Sequence, residues 1–338
     1  MKVLSSFARC AFASFFTLAL SLGEARATTP VALPPACTGH DLAEGVDLRP
    51  ALARRADDLV NGQGLLWRIE RDGVAPSYLY GTIHTSDADV IALANEAAKL
   101  IDAAKVVATE LGAPLDPVDK AQMAGEMVAQ AVDHDNDTLA GTLPAANSAF
   151  IDAYLTKRGF PSAFAHHLKL WFLAVMTSLP ECETKRAALE LPVVDDVIAK
   201  EGKDRGLPVI GLETIKEQMD IMSALPNDVS ATLLAQNARN PSLSEDGFVT
   251  MLRLYREKRP AEILAIMDSM PGLTPKERNA QDSFLSLMIG RNATMAEHAK
   301  PLLAAGGAFI AVGALHLPGK QGLVELFRAA GYRVVNVW

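Results

Sequence analysis

Aromatic residues are scarce, 6% of 338 positions, and cysteine is scarcer, with three in the chain. So few cysteines exclude a disulfide-dense scaffold, and none stands in the Cys-x-x-Cys spacing of a redox or zinc-ribbon site. Positive charge is also short: 32 Lys and Arg face 40 Asp and Glu, a formal charge of -8. No cationic surface for a phosphate backbone follows from those totals, so nucleic acid is not an expected partner. Equally missing are His-Glu-x-x-His, Gly-x-Ser-x-Gly, phosphate-loop and dinucleotide fingerprints, which leaves the commonest zinc peptidases, serine hydrolases, NTPases and NAD enzymes without motif support. No short-period repeat occurs, so solenoids and propellers drop out.

What is present suits a globular chain. Apolar residues make up 49% and charged residues 21%, neither the signature of disorder nor that of a polytopic membrane protein. Lys2 and Arg9 flank an apolar stretch from Cys10 to Leu22, and Ala25-Arg26-Ala27 offers small residues where a signal peptidase reads. That run of about 13 residues is shorter than the roughly 20 of a spanning helix, so residues 1–27 are expected to be a cleaved signal peptide. The expectation is export to the periplasm or beyond, with no membrane anchor after cleavage and a mature chain more acidic than the precursor. Cys37 and Cys182 then remain, and in an exported protein two cysteines are expected to pair.

Residues 28–64 are rich in Pro, Ala and Gly and read as an N-terminal arm. Leu65 to Glu70 and Ser77 to Tyr80 are strand-like around Asp72-Gly73, predicting a β-hairpin that runs into Gly81-Thr82-Ile83-His84. A helix capped by Asp87 or Asp89 follows, then a buried strand ending at Glu110. From about 115 to 190 the pattern is helical, an insertion expected to act as a cap. Val209-Ile210-Gly211 forms a short strand just before Glu213, and Ala308 to Val312 another before Gly313-Ala314-Leu315-His316. The alternation predicts an α/β (α+β) fold with a central mixed sheet surrounded by helices, residues 65–338 forming one unit.

Of seven histidines, His84 and His316 alone stand in the same strand-end pattern, Gly-x-x-His. Glu110 and Glu213 also follow apolar strands, and ligands of open α/β sheets gather at the carboxyl ends of strands. Two imidazoles with carboxylates suit a divalent cation such as zinc, manganese or cobalt. His166 and His167 fit a core or cap role, while His40, His134 and His298 fit surface or capping roles. Asp133, Asp135 and Asp137 have calcium-loop spacing, but Thr138 replaces the turn glycine and Pro144 the bidentate glutamate, so a solvated loop is expected.

Taken in order, Leu66-Trp67, Ser77 to His84, Ala108-Thr109-Glu110, Val209 to Thr214 with Glu217-Gln218, Arg291-Asn292 with Met295, and Val312 to Leu317 with Gly319 and Gly322-Leu323 resemble the TraB/GumN family. The TIKI membrane proteases are its animal relatives. That resemblance implies a metal-dependent hydrolase with His84 and His316 as the motif histidines, Glu110 as the strand-end glutamate and Arg291 as the arginine before the second motif. The expected function is an exported metal-dependent hydrolase of peptides or small esters and amides. His84, His316 and Glu110 would hold the metal, Glu110 or Glu213 would take a proton, and Arg291 would stabilise an oxyanion. Two alternatives remain open: a periplasmic protein that binds a metal or cofactor without turnover, and a partner-binding protein with an inert site.

Overall fold

The computed structural model describes residues 36–55, 57–112, 125–133, 138–143, 145–270 and 272–338. The signal peptide expected at 1–27 and most of the Asp133 to Asp137 loop lie outside these residues. Six strands, β1 (Leu66–Arg71), β2 (Val74–Thr82), β3 (Val106–Thr109), β4 (Val209–Gly211), β5 (Ala308–Gly313) and β6 (Arg333–Asn336), form one mixed sheet in the order β4-β3-β5-β2-β1-β6. The expected α/β fold is what is found.

The hairpin forms where Asp72-Gly73 allows the turn, with Gly73 at φ +72, and β1 runs antiparallel to β2. β2, β5, β3 and β4 are mutually parallel. Their registers align Thr82 with Gly313 and Thr109 with both Ala311 and Gly211, so all four strands end at one edge. Because β5 enters between β2 and β3 from the far end of the chain, the strand order changes direction there. Such a switch point opens a crevice outside the strand ends.

Alternation along β5 sends Phe309 and Ala311 to one face and Ala308, Ile310 and Val312 to the other. The first face is covered by the helices Ala88–Ala98, Val194–Asp204 and Leu243–Arg256, through Val90, Ala94, Ile198, Phe248, Leu252 and Tyr255. The second is covered by the helices Asn292–Ala305 and Leu323–Ala329, through Met295, Ala299, Leu303, Val324 and Phe327. With both faces covered, β5 is buried from Ala308 to Val312, as a central parallel strand must be. Asp87 caps the Ala88 helix by accepting from the amides of Asp89 and Val90, worth about 1 kcal/mol.

A separate helical lobe has its own core, from Leu139, Ile151, Leu155, Leu168, Trp171 and Leu173. Leu225, Leu234 and Ala238 complete that core, so the lobe draws on chain well beyond the expected insertion at about 115–190. Within the lobe the helices Ser162–Ala165 and Leu170–Ser178 are separate elements, because the chain turns between them. Within the arm, residues 36–55 and 57–64 are tied down rather than loose. They contain the helix Arg49–Arg54 with Ala51 buried, Leu42 N donates to Thr250 Oγ1 at 2.8 Å, and Asp41 pairs with Arg253. Cys37 and Cys182 form a disulfide, as expected, with Cα atoms 5.1 Å apart. Among the described residues no helix is long and apolar enough to cross a membrane.

Candidate functional site

Each of the four parallel strands delivers one chemically active side chain to the shared edge. Glu110 follows β3 and Glu213 follows β4, and the amides of Leu212 and Glu213 donate to the carbonyls of Thr109 and Glu110 at 2.9 and 2.8 Å. These bonds carry the ladder past the last strand residue and set the two carboxylates side by side. Between them lies Arg291, at the junction of the helices Pro275–Gly290 and Asn292–Ala305 and 3% exposed. Its Nε donates to Glu213 Oε1 at 3.0 Å and its Nη2 to Glu110 Oε2 at 2.6 Å and to Glu213 Oε2. Gln218 Nε2 donates to the same two carboxylates, at 3.2 Å each.

One buried cation held by two buried carboxylates is stable only while all three remain, because a lone charge there has no water to compensate it. Glu213 is closed in completely, its side chain 0% exposed. Glu110 differs, since Oε2 is tied back to Arg291 while Oε1 faces the second histidine motif. Oε1 accepts from the Gly313 amide at 2.7 Å and lies 3.7 Å from His316 Nε2. Burial alone would raise the Glu110 pKa, but His316, Arg291 and His84 together with the Gly313 amide outweigh it and hold the carboxyl at about 2.

The motif glycines have distinct reasons to be glycine. A Cβ on Gly313 would meet Glu110 Oε1 at 3.2 Å, while one on Gly81 would meet the Ala314 Cα of the second motif at 3.0 Å. The first lets a carboxylate reach the backbone and the second lets the two motifs pack together.

His316, 5% exposed, sits in the 3-10 turn Ala314–His316. Asn292 Nδ2 donates to the Gln321 carbonyl at 2.8 Å, which fixes the amide so that its Oδ1 accepts from His316 Nδ1 at 2.6 Å. With the proton on Nδ1, Nε2 keeps its lone pair and points at Glu110. Burial, the largest influence, pushes the His316 pKa down and favours that neutral ring.

His84 is the open member of the pair, with 69% of its side-chain surface exposed. Its Nδ1 lies 2.9 Å from Asp195 Oδ2, and Thr82 Oγ1 donates to Asp195 Oδ1 at 2.8 Å. Asp195 Oδ2 is buried and has no other partner with hydrogen-bond geometry, so the ion pair is what compensates it. The Asp195 charge pushes the His84 pKa up to about 9, against an opposing effect of burial.

All five predicted residues, His84, Glu110, Glu213, Arg291 and His316, therefore gather at one strand-end edge. Sequence reasoning gave no site role to Asp195, Asn292 or Gln218. The signal for the last two was their adjacency to Arg291 and Glu217 in the quoted motifs; Asp195 gave none. His298, expected at the surface, is exposed, and its Nδ1 donates to the Leu212 carbonyl at 2.6 Å.

The three expected metal donors, His84, His316 and Glu110, do not all come within 4.8 Å of one another. Among the described residues that spacing is met by Cys37, Cys182 and Glu183, whose sulfurs are bonded to each other. Cavities of about 170 and 440 Å³ lie elsewhere, beside Gln236 and beside Phe327.

No curated protein and no solved structure matches the chain. A family match, however, spans residues 65–336, from the start of the sheet to the end of β6, and takes in every residue of this site. The chain therefore belongs to the TraB/PrgY/gumN family.

Proposed function

We propose that this protein hydrolyses amide or ester bonds with the help of a divalent cation held by His84, His316 and Glu110. The observation that carries the reading is the matched setting of the two histidines. Each has Nδ1 against an oxygen, Asp195 or Asn292, which makes Nε2 the nitrogen that would meet a cation once deprotonated. Oxygen partners of this kind accompany metal-ligating imidazoles and set their tautomer. The donor chemistry fits zinc, manganese or cobalt. His316 and Glu110 form the near pair at 3.7 Å, and His84 stands on the exposed wall.

Such a cation, when bound, supplies Lewis acidity toward a carbonyl oxygen. The protein's own groups do the rest. Glu110 presents Oε1, which accepts from the Gly313 amide, on the His316 side, where it would hold the cation. Glu213 has both oxygens committed to Arg291 and Gln218, so it works as a positioning residue and not as a base. Arg291 is likewise committed, and its work is to bridge the two neighbouring carboxylates rather than to meet a substrate oxyanion. A peptide or small ester or amide is the substrate class. Export to the periplasm is the setting in which the Cys37–Cys182 disulfide persists.

The test is metal analysis of the purified protein joined to a library of amide and ester substrates assayed with each metal. The reading expects stoichiometric metal, turnover, and loss of both in His84→Ala and His316→Ala. Full metal content and turnover in both variants would overturn it. Bound metal with no turnover in the unaltered protein would favour a carrier.

A further inference from the structure

Directly behind His84 lies a contact that the proposed chemistry does not use. Thr85, 0% exposed, donates from Oγ1 to Glu183 Oε1 at 2.7 Å and accepts there from the Asp87 amide at 3.0 Å. The Ser86 amide donates to Glu183 Oε2 at 3.3 Å. One carboxylate thus holds both residues that follow the histidine. On the other side the Thr85 carbonyl accepts from the Val194 amide at 3.2 Å, one residue before the Asp195 that pairs with His84. The His84 loop is therefore gripped between the helix Glu181–Ala188 and the helix Val194–Asp204.

These two helices are anchored differently. Val194–Asp204 buries Val194, Ile198, Ala199 and Gly202. Glu181–Ala188 buries only Cys182 and Arg186, too little apolar surface to hold eight residues in place by the hydrophobic effect. Its other ties are the Glu181 amide, which donates to Glu245 Oε1, the Arg186 guanidinium, 4.0 Å from Asp87 Oδ2 and donating to Glu183 Oε1 at 2.6 Å, and one covalent bond, from Cys182 to Cys37.

We infer that Glu183 is a positioning residue for His84, and that the Cys37–Cys182 disulfide holds it in register. The inference rests on the reading of His84 as a metal-site residue. The arm, the disulfide and the first Gly-x-x-His motif then form one mechanical unit, while His316 stands outside it.

A double-mutant cycle tests this in the oxidised full chain. Zinc affinity is measured for the unaltered protein, Glu183→Ala, His84→Ala and the combined variant. Amide hydrogen exchange of Ser86 and the ring resonances of His84 and His316 are recorded alongside. Glu183→Ala is expected to weaken zinc about tenfold, but less than about twofold once His84 is absent. Glu183→Gln, which keeps an acceptor for Thr85, is expected to recover part of the loss. Cys37→Ser with Cys182→Ser should move the same signals in the same direction. An equal loss with and without His84 would overturn the inference. The His316 resonance, unchanged, shows that each variant is folded. If the unaltered protein binds no zinc, the functional reading fails and the clamp is judged separately. Faster Ser86 exchange and a shifted His84 ring in Glu183→Ala would still support it, and unchanged signals would contradict it.

Discussion

Gly-Thr-Ile-His and Gly-Ala-Leu-His share a pattern and end adjacent parallel strands, yet the two histidines live in opposite surroundings. His84 is 69% exposed and faces an anion, Asp195, which pushes its pKa up to about 9. His316 is 7% exposed at the side chain and faces the neutral amide of Asn292, and burial pushes its pKa down. The local motif sets where a histidine leaves the sheet; helices distant in sequence decide what that histidine does. In both cases Nδ1 meets an oxygen, so what the two settings share is the nitrogen they occupy rather than the charge they favour.

The comparison breaks most completely if the buried member is removed. His316→Ala is expected to lower kcat/KM roughly a thousandfold, the scale of losing a group that contacts the reacting centre, and steady-state kinetics on the best library substrate reads it. Arg291→Leu leaves two carboxylates buried without their cation, and should cost about 3–5 kcal/mol of stability in denaturant unfolding. Arg291→Lys should fall between, because an ammonium cannot span both carboxylates as the guanidinium fork does.

The glycines sharpen the contrast at smaller scale. Gly81→Ala drives a Cβ against backbone, the Ala314 Cα at 3.0 Å, and is expected to cost about 1–3 kcal/mol in thermal unfolding. Gly313→Ala meets a side-chain oxygen, Glu110 Oε1, and should disturb activity more than stability.

Smallest in energy and most specific is titration of the metal-free protein. In Asp195→Asn the His84 pKa should fall from about 9 toward the ordinary imidazole range, followed by ring NMR, with His316 unmoved. The sign follows from linkage. A folded-state pKa above the ordinary value means the His84–Asp195 pair contributes fully below about pH 6.5. That contribution is lost as pH rises through about 9.

The sheet was largely legible in the sequence because its signals are local. Asp72-Gly73 marks the hairpin, and the unbroken apolar run from Ala308 to Val312 marks a strand covered on both faces. The site residues were legible as strand-end exceptions to those runs. Their neighbourhood was not, since strand order depends on which crossover β5 takes and no local pattern encodes that choice. Glu213 and Arg291 stood out in the sequence, but their contact did not: Arg291 reaches both oxygens of Glu213 across the fold, and Gln218 reaches one. Asp195 was illegible because an aspartate in the first turn of a helix is ordinary, and its meaning lies in the ring it meets across the fold. In the helical lobe, likewise, no local pattern announces that Leu225 and Leu234 pack with residues such as Leu155 and Leu173.

The central claim is that the two histidines and Glu110 serve one cation. Titrating zinc or manganese into the metal-free protein while observing the imidazole nitrogens tests it most directly. The account predicts that the Nε2 signals of His84 and His316 change together and are complete at one equivalent, and that Glu110→Gln weakens both responses. A response from one histidine alone, or from neither, would contradict it.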